Sequence, residues 1–137
     1  MDGFSIASVT ATCRTLSHRA LSATVELDEI LERSTIPIPW SQKLASLSAK
    51  LEQFKKSVEE LLQTLDANAV VSEGLKRMLS AALQECDEAA AVLTKQVKRI
   101  GAQTAPEAID LSVISQYEYF LESFTKLFVF ARKLLLL

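Results

Sequence analysis

Few side chains in this chain are suited to reaction or ligation. There is one histidine, His18, between Arg14 and Arg19, and there are two cysteines, Cys13 and Cys86. A zinc site needs several Cys, His or carboxylate ligands gathered together, and a single His with no Cys or His cluster beside it does not supply them. The flanking arginines further disfavour a cation, so His18 reads as a solvated surface side chain. A Cys13–His18 nucleophile pair fails on geometry, because five residues at roughly 100° each put the two on different faces of one helix. The chain has no glycine-rich phosphate loop and no GxSxG elbow. The acidic groups in "EELLQTLD" and "ECDEAA" fall at helix-surface spacing and read as solvated faces rather than paired catalytic carboxylates. No enzymatic role, no metal and no cofactor is expected.

The totals narrow the classes further. The chain has 137 residues, enough for one domain with a respectable core. It is 49% hydrophobic with only 3 Gly and 3 Pro, which leaves little room for the many turns of an all-β fold and argues against disorder. Fifteen basic and seventeen acidic residues leave a net charge of −2, so nothing draws a nucleic acid electrostatically and no nucleic-acid partner is expected. Asp2 stands where a secretory signal wants Lys or Arg. Two cysteines are too few for a disulfide framework, and both fall on apolar stripes, so they are expected to be buried free thiols in a cytoplasmic protein.

Helical periodicity runs through four segments of similar length. Leu44, Leu47, Leu51, Phe54, Val58, Leu61 and Leu65 recur in alternating steps of three and four, a heptad-like seam on one helix face. Glu52 stands four residues before Lys56, the favourable order for a weak ion pair. A second stripe comprises Leu75, Leu79, Ala82, Cys86, Ala89, Leu93, Val97 and Ile100, with Gly101 placed as a C-terminal stop. The first stripe, Ile6, Val9, Cys13, Leu16, Ala20, Ala23, Leu27 and Ile30, is diluted by Ser and Thr, which are weak helix formers. It must take its stability from packing and is expected to exchange amide hydrogens faster over residues 4–24 than residues 44–65. Pro37 and Pro39 in "STIPIPW" mark its end and force extended geometry before each ring. Trp40 is expected to pack over a bundle end. The last segment opens on "TAPE", where Thr104, Pro106 and Glu107 suit a capping box.

These patterns predict an all-α, antiparallel up-down-up-down four-helix bundle in a single domain, with helices at about 4–33, 41–66, 70–100 and 107–136 and each roughly 40–45 Å long.

The closing stretch, "YEYFLESFTKLFVFARKLLLL", needs separate treatment. At roughly 100° per residue, Glu118, Glu122, Thr125, Lys126, Arg132 and Lys133 share one arc. A spanning helix wants about 20 residues with few or no charges, so this segment is amphipathic rather than transmembrane. Its apolar arc covers about 200°, against a little over 100° for an ordinary surface helix. Two readings fit the surplus: a helix wedged between two others, or an apolar strip kept for a partner, a second copy or a membrane surface. Phe120, Phe124, Phe128, Leu134 and Leu135 are the candidate interaction face. "KLLLL" lacks a cap or stop, the pattern expected where a longer protein continues into a further module.

Three stretches carry a family resemblance. "MDGFSIASVTATC" resembles the start of fungal N-terminal helical domains. "WSQKLASLSAKLEQFKKSVEELLQTL" and "LSAALQECDEAAAVLTKQVKRI" resemble their Leu-rich helix and the helix after it, whose core is L-x-x-C-x-x-x-L-like, here Leu83, Cys86 and Ala90 with Leu93 beyond. The family is that of the fungal N-terminal domains of STAND and ankyrin-repeat proteins, related to HeLo-like domains. The resemblance implies a non-enzymatic module ahead of a NACHT-type nucleotide-binding domain, ankyrin repeats or both, acting by self-association or by contact with a downstream domain. Members of the HeLo-like branch are execution modules in fungal immune and incompatibility responses, and their N-terminal segment is thought to leave the bundle and damage membranes. Phe4, Ile6 and Val9 would be the membrane-active segment here, with membrane association on activation. That apolar run is only about a dozen residues long before Arg14, too short to span a bilayer.

Overall fold

The computed structural model describes residues 6–32, 36–67, 71–102 and 111–137, apart from the Leu111 side chain. Four helices account for almost all of them: α1 (Ile6–Leu31), α2 (Ile38–Ala67), α3 (Glu73–Ala102) and α4 (Leu111–Leu135), with no strand among the described residues. The expected residues 4, 5, 33, 70 and 107–110 of the helices, Phe4 among them, lie outside the described residues, as does the Thr104–Glu107 capping box.

The bundle runs up-down-up-down. α1 and α2 are antiparallel: Arg14 near the start of α1 meets Asp66 near the end of α2 at 3.8 Å, and Ser17 Oγ donates to Glu59 Oε2 at 3.1 Å. α1 and α3 run parallel, because Arg19 pairs with Asp87 at 2.9 Å while Gly101 lies over Glu26 and Ile30. α2 and α4 are also parallel, with Lys43 on Glu118 at 3.0 Å and Arg132 Nε donating to Thr64 Oγ1 at 3.1 Å. Packing is extensive for α1 on α2, α1 on α3 and α2 on α4, whereas α3 and α4 barely touch. The helices therefore sit in the order α3, α1, α2, α4, with α1 and α2 as a spine and one seam left open. Chain neighbours α2 and α3 lie across a diagonal rather than side by side.

The stripes seen in the sequence mark the buried faces of α1 and α2, whereas on α3 the buried row takes Leu83 and Ala90 in place of the expected Ala82 and Ala89, which are half-buried. All seven members of the α2 seam are in the core, as are Val9, Cys13, Leu16, Ala20, Ala23, Leu27 and Ile30 of α1. Full burial of a Leu, Ile or Phe side chain is worth about 1.5–3 kcal/mol, which is what offsets the weak propensity of α1. Its threonine hydroxyls bond within the helix: Thr12 Oγ1 donates to the Ser8 carbonyl at 3.1 Å, Thr15 Oγ1 to Ala11 at 3.1 Å and Thr24 Oγ1 to Ala20 at 2.8 Å. Among the described residues no buried side-chain nitrogen or oxygen lacks a partner.

Four local expectations are corrected. α2 begins at Ile38 rather than near residue 41, with Pro39 in its first turn. The Ser41 amide donates to the Pro37 carbonyl at 3.0 Å, and a proline in the first turn loses nothing because those N–H groups have no intrahelical acceptor. α3 begins at Glu73 after the non-helical Val71 and Ser72, and Ser72 is its cap: the Leu75 amide donates to Ser72 Oγ at 3.2 Å. Gly101 is no left-handed stop. No described glycine has positive φ, and the helix continues through it to Ala102. A Cβ there would stand 3.3 Å from Glu26 Oε2 and 3.5 Å from Ile30, so the glycine allows α3 to lie close against α1. The ion pair that forms along α2 is Lys55 to Glu59 at 3.1 Å, rather than Glu52 to Lys56.

Candidate interaction surface

α4 is attached to the rest of the molecule by α2. Its inward residues Ile114, Leu121, Phe128 and Ala131 are buried, and Tyr117, Phe124 and Leu135 pack against the core beside them. Four phenylalanines form a chain across the α2–α4 contact: Phe54 lies 6.5 Å from Phe120 and 6.1 Å from Phe128, Phe120 5.0 Å from Phe124, and Phe124 5.8 Å from Phe128. Such tilted and edge-on pairs add about 0.5–1.5 kcal/mol each beyond area burial. A polar row runs alongside. Glu118 accepts from Ser46 Oγ and pairs with Lys43; Glu122 pairs with Lys50. The Lys50 ammonium, hydrogen-bonded to Glu122, holds that carboxyl below its ordinary value, and the same bond holds Lys50 above its own. Arg132 reaches Thr64, whose hydroxyl donates in turn to the Glu60 carbonyl at 2.8 Å.

The structure divides the five candidate interaction residues. Phe128 is fully buried; Phe120, Phe124 and Leu135 are half-buried; Leu134 is exposed. The aromatic part of the candidate face is therefore largely the glue between α4 and α2. The apolar surface that remains open on α4 comprises Tyr119, 75% exposed, Phe130, 55% exposed, and Val129 and Leu134, with Leu136 and Leu137 just past its end. Reading the arc as one surface missed this split, because the 200° arc contains two faces and α2 takes only one of them.

At the other candidate segment, Val9 is buried in the core and Ile6 packs against it. Both cysteines are buried and free. Burial pushes the Cys13 thiol up to about 12, with Arg14 giving partial relief; Cys86 moves the same way through burial, with Asp87 and Cys13 adding to it. His18 is exposed. Trp40 is buried in the core cluster.

Among the described residues the enclosed space is small and the grooves are shallow. The space where all four helices meet, between Ala20, Ala23, Phe54, Ala90 and Leu121, holds about 10 Å3, at the limit of a single water. A shallow groove of about 290 Å3 on the α1–α2 surface is lined by Leu21, Thr24 and the charged side chains Glu52, Lys55, Lys56 and Glu59. Among the described residues no group of three His, Cys, Asp or Glu could hold a metal ion. No helix there is long and apolar enough to cross a membrane.

No protein-family model, curated protein or solved structure matches the chain.

Proposed function

We propose that this chain is a non-enzymatic interaction module, an N-terminal signalling and oligomerisation domain of the fungal STAND or ankyrin type that its sequence resembles, working through helix-face contacts between proteins. The observation that carries this reading is the open apolar surface of α4, where Tyr119, Phe130 and Leu134 stand exposed outside the face that α2 covers. Exposed aromatic and aliphatic side chains gathered on one helix cost solubility unless something covers them. The test is the native mass of the protein, expressed at its own level, with and without Phe130→Lys. A mass above one chain that falls to one chain in the variant supports the reading, whether the companion is another copy or another protein. A parent that already runs as one chain overturns it.

Membrane execution through the N-terminal segment is the less supported alternative. It requires α1 to withdraw Val9 from the core, and α1 packs against both α2 and α3. Leakage of dye from anionic liposomes would speak for it; intact liposomes would remove it.

A further inference from the structure

The outward side of α1 changes character along its length. At roughly 100° per residue, Arg14, His18, Leu21, Val25, Glu29 and Glu32 fall within about 80° of arc, on the side away from Leu16, Ala23 and Leu27. All six are exposed. Glu32 stands one residue past the helix, and its amide still donates to the Asp28 carbonyl at 3.1 Å, so the turn reaches it. The strip opens on Arg14 and His18 and closes on Glu29 and Glu32. Its centre is apolar, with Leu21 47% and Val25 49% exposed. The borders of the strip are balanced in charge. On one side Glu52, Lys55, Lys56 and Glu59 of α2 line the groove beside Leu21. On the other, Arg19 is paired with Asp87 of α3.

We propose that a second copy of this chain packs on the α1 strip, the two α1 helices running antiparallel with the two-fold axis level with Ala23. This contact is separate from the open side of α4 and goes beyond it. The spacing of the charges names the occupant. Arg14 lies nine residues before Ala23 and Glu32 nine after it; Leu21 lies two before and Val25 two after; His18 lies five before and Glu29 six after. A two-fold axis at that level sets Arg14 opposite the partner's Glu32, His18 opposite the partner's Glu29 and Leu21 opposite the partner's Val25. Each contact then occurs twice, as an isologous interface requires. A parallel pair would set Arg14 against its own copy and both glutamates against theirs. An anionic membrane or a nucleic acid would be repelled by Glu29, Glu32 and the neighbouring Asp28. Arg14 is free to turn to a partner, because Asp66 is 3.8 Å away and both side chains are more than half exposed. Exposed ion pairs contribute only about 0.2–1 kcal/mol each. One helix from each copy also hides less than the about 1,200–2,000 Å2 of a standard interface. The dimer is therefore weak, with a Kd of about 0.1–1 mM.

Sedimentation of the full chain from low micromolar to about 1 mM, at about 0.05 M and about 0.5 M salt, reads the association. Arg14→Glu and Glu32→Arg each weaken it about tenfold, because each turns two attractive contacts into repulsive ones. The double variant Arg14→Glu/Glu32→Arg exchanges the charges in both copies and restores association to within about twofold of the parent. Helicity by circular dichroism is unchanged in all three, since both side chains are exposed. High salt weakens the parent and the double variant alike. Phe130→Lys, on α4, leaves the association as it is. A parent that is monomeric at the highest concentration and low salt overturns the proposal. A double variant that associates no better than the single ones also overturns it, because the two charges do not then face each other across a two-fold axis. Association that Phe130→Lys removes and the α1 variants leave intact belongs to α4 and overturns it equally. The native-mass test reads Phe130 alone, so a failure of the α4 reading and a failure of this one are told apart.

Discussion

Cys13 and Cys86 are core side chains, and burial raises both thiols well above their ordinary value of 9.0. The thiolate is the reacting form, so at neutral pH neither sulfur is expected to react with Ellman's reagent in the folded protein, and both should react promptly in denaturant. Fast reaction of either without denaturant would mean that the α1–α3 contact opens easily. Phe128 tests the other side of the molecule. It is fully buried among Phe54, Phe124 and the rest of the core, so Phe128→Ala should cost about 3–5 kcal/mol in urea unfolding. Pairing it with Phe54→Ala in a double-mutant cycle should return a coupling of about 0.5–1.5 kcal/mol. Gly74 shows the opposite sign. It lies in the first turn of α3 with nothing within 4 Å of an added Cβ, so Gly74→Ala should stabilise by about 0.5 kcal/mol. A loss there would show that α3 frays at its start.

The order of opening among the helices turns on how many sides each has covered. Propensity alone points to α1, whose Ser and Thr weaken it. In the structure α1 is half of the spine, packed against α2 and α3, while α4 is held along α2 alone. Hydrogen exchange should therefore find α4 less protected than α1 and α2, with residues 111–137 opening as one unit. Faster exchange in α1 would restore propensity as the deciding factor, and uniform protection would show that neither propensity nor coverage decides. The same contrast explains what could be read from the chain. The seams of α1 and α2 were legible because each helix shows one apolar stripe, whereas on α3 apolar residues stand side by side at 82/83 and 89/90 and the buried members are Leu83 and Ala90 rather than Ala82 and Ala89. Which helices sit side by side was not legible, since all three stripes are satisfied by any neighbour. The exposed face of α4 was half legible. Its arc was visibly too wide, but only the placement of α2 against Phe124 and Phe128 shows which part remains over. Ser72 as the cap of α3 was hidden because no Glu or Gln stands three residues on to complete a capping box.

The molecule as a whole holds α4 by an aromatic chain and a row of ion pairs, and the ion pairs set how its stability responds to pH. Glu122 is held below its ordinary 4.5 by its hydrogen bond to Lys50, and Glu73 likewise by Lys76. A carboxyl with a lowered folded value stabilises above its ordinary value, and that contribution disappears as pH falls through the lowered one. Lys50 is raised above its ordinary 10.5 by the bond to Glu122, and Tyr117 above its ordinary 10.0 by burial. For these the sign reverses: the contribution is complete below the ordinary value and is lost as pH rises beyond it. Burial raises Cys13 and Cys86 in the same way from a lower ordinary value of 9.0, so the melting temperature should be flat between about pH 5 and about pH 8 and fall on both sides. On the acid side the protonation of Glu122 coincides with a growing positive charge, as 15 Lys and Arg lose their 17 acidic counterparts. Glu122 is well exposed, so its share is small. Its location still makes it diagnostic: Glu122→Gln should blunt the acid fall and leave the neutral plateau level, though set slightly lower. Thermal melts from pH 3 to pH 10 on the parent and this variant decide the matter. A parent whose melting temperature slopes steadily between about pH 5 and about pH 8, or a variant with an unaltered acid limb, would show that the α2–α4 ion pairs do not govern the acid response.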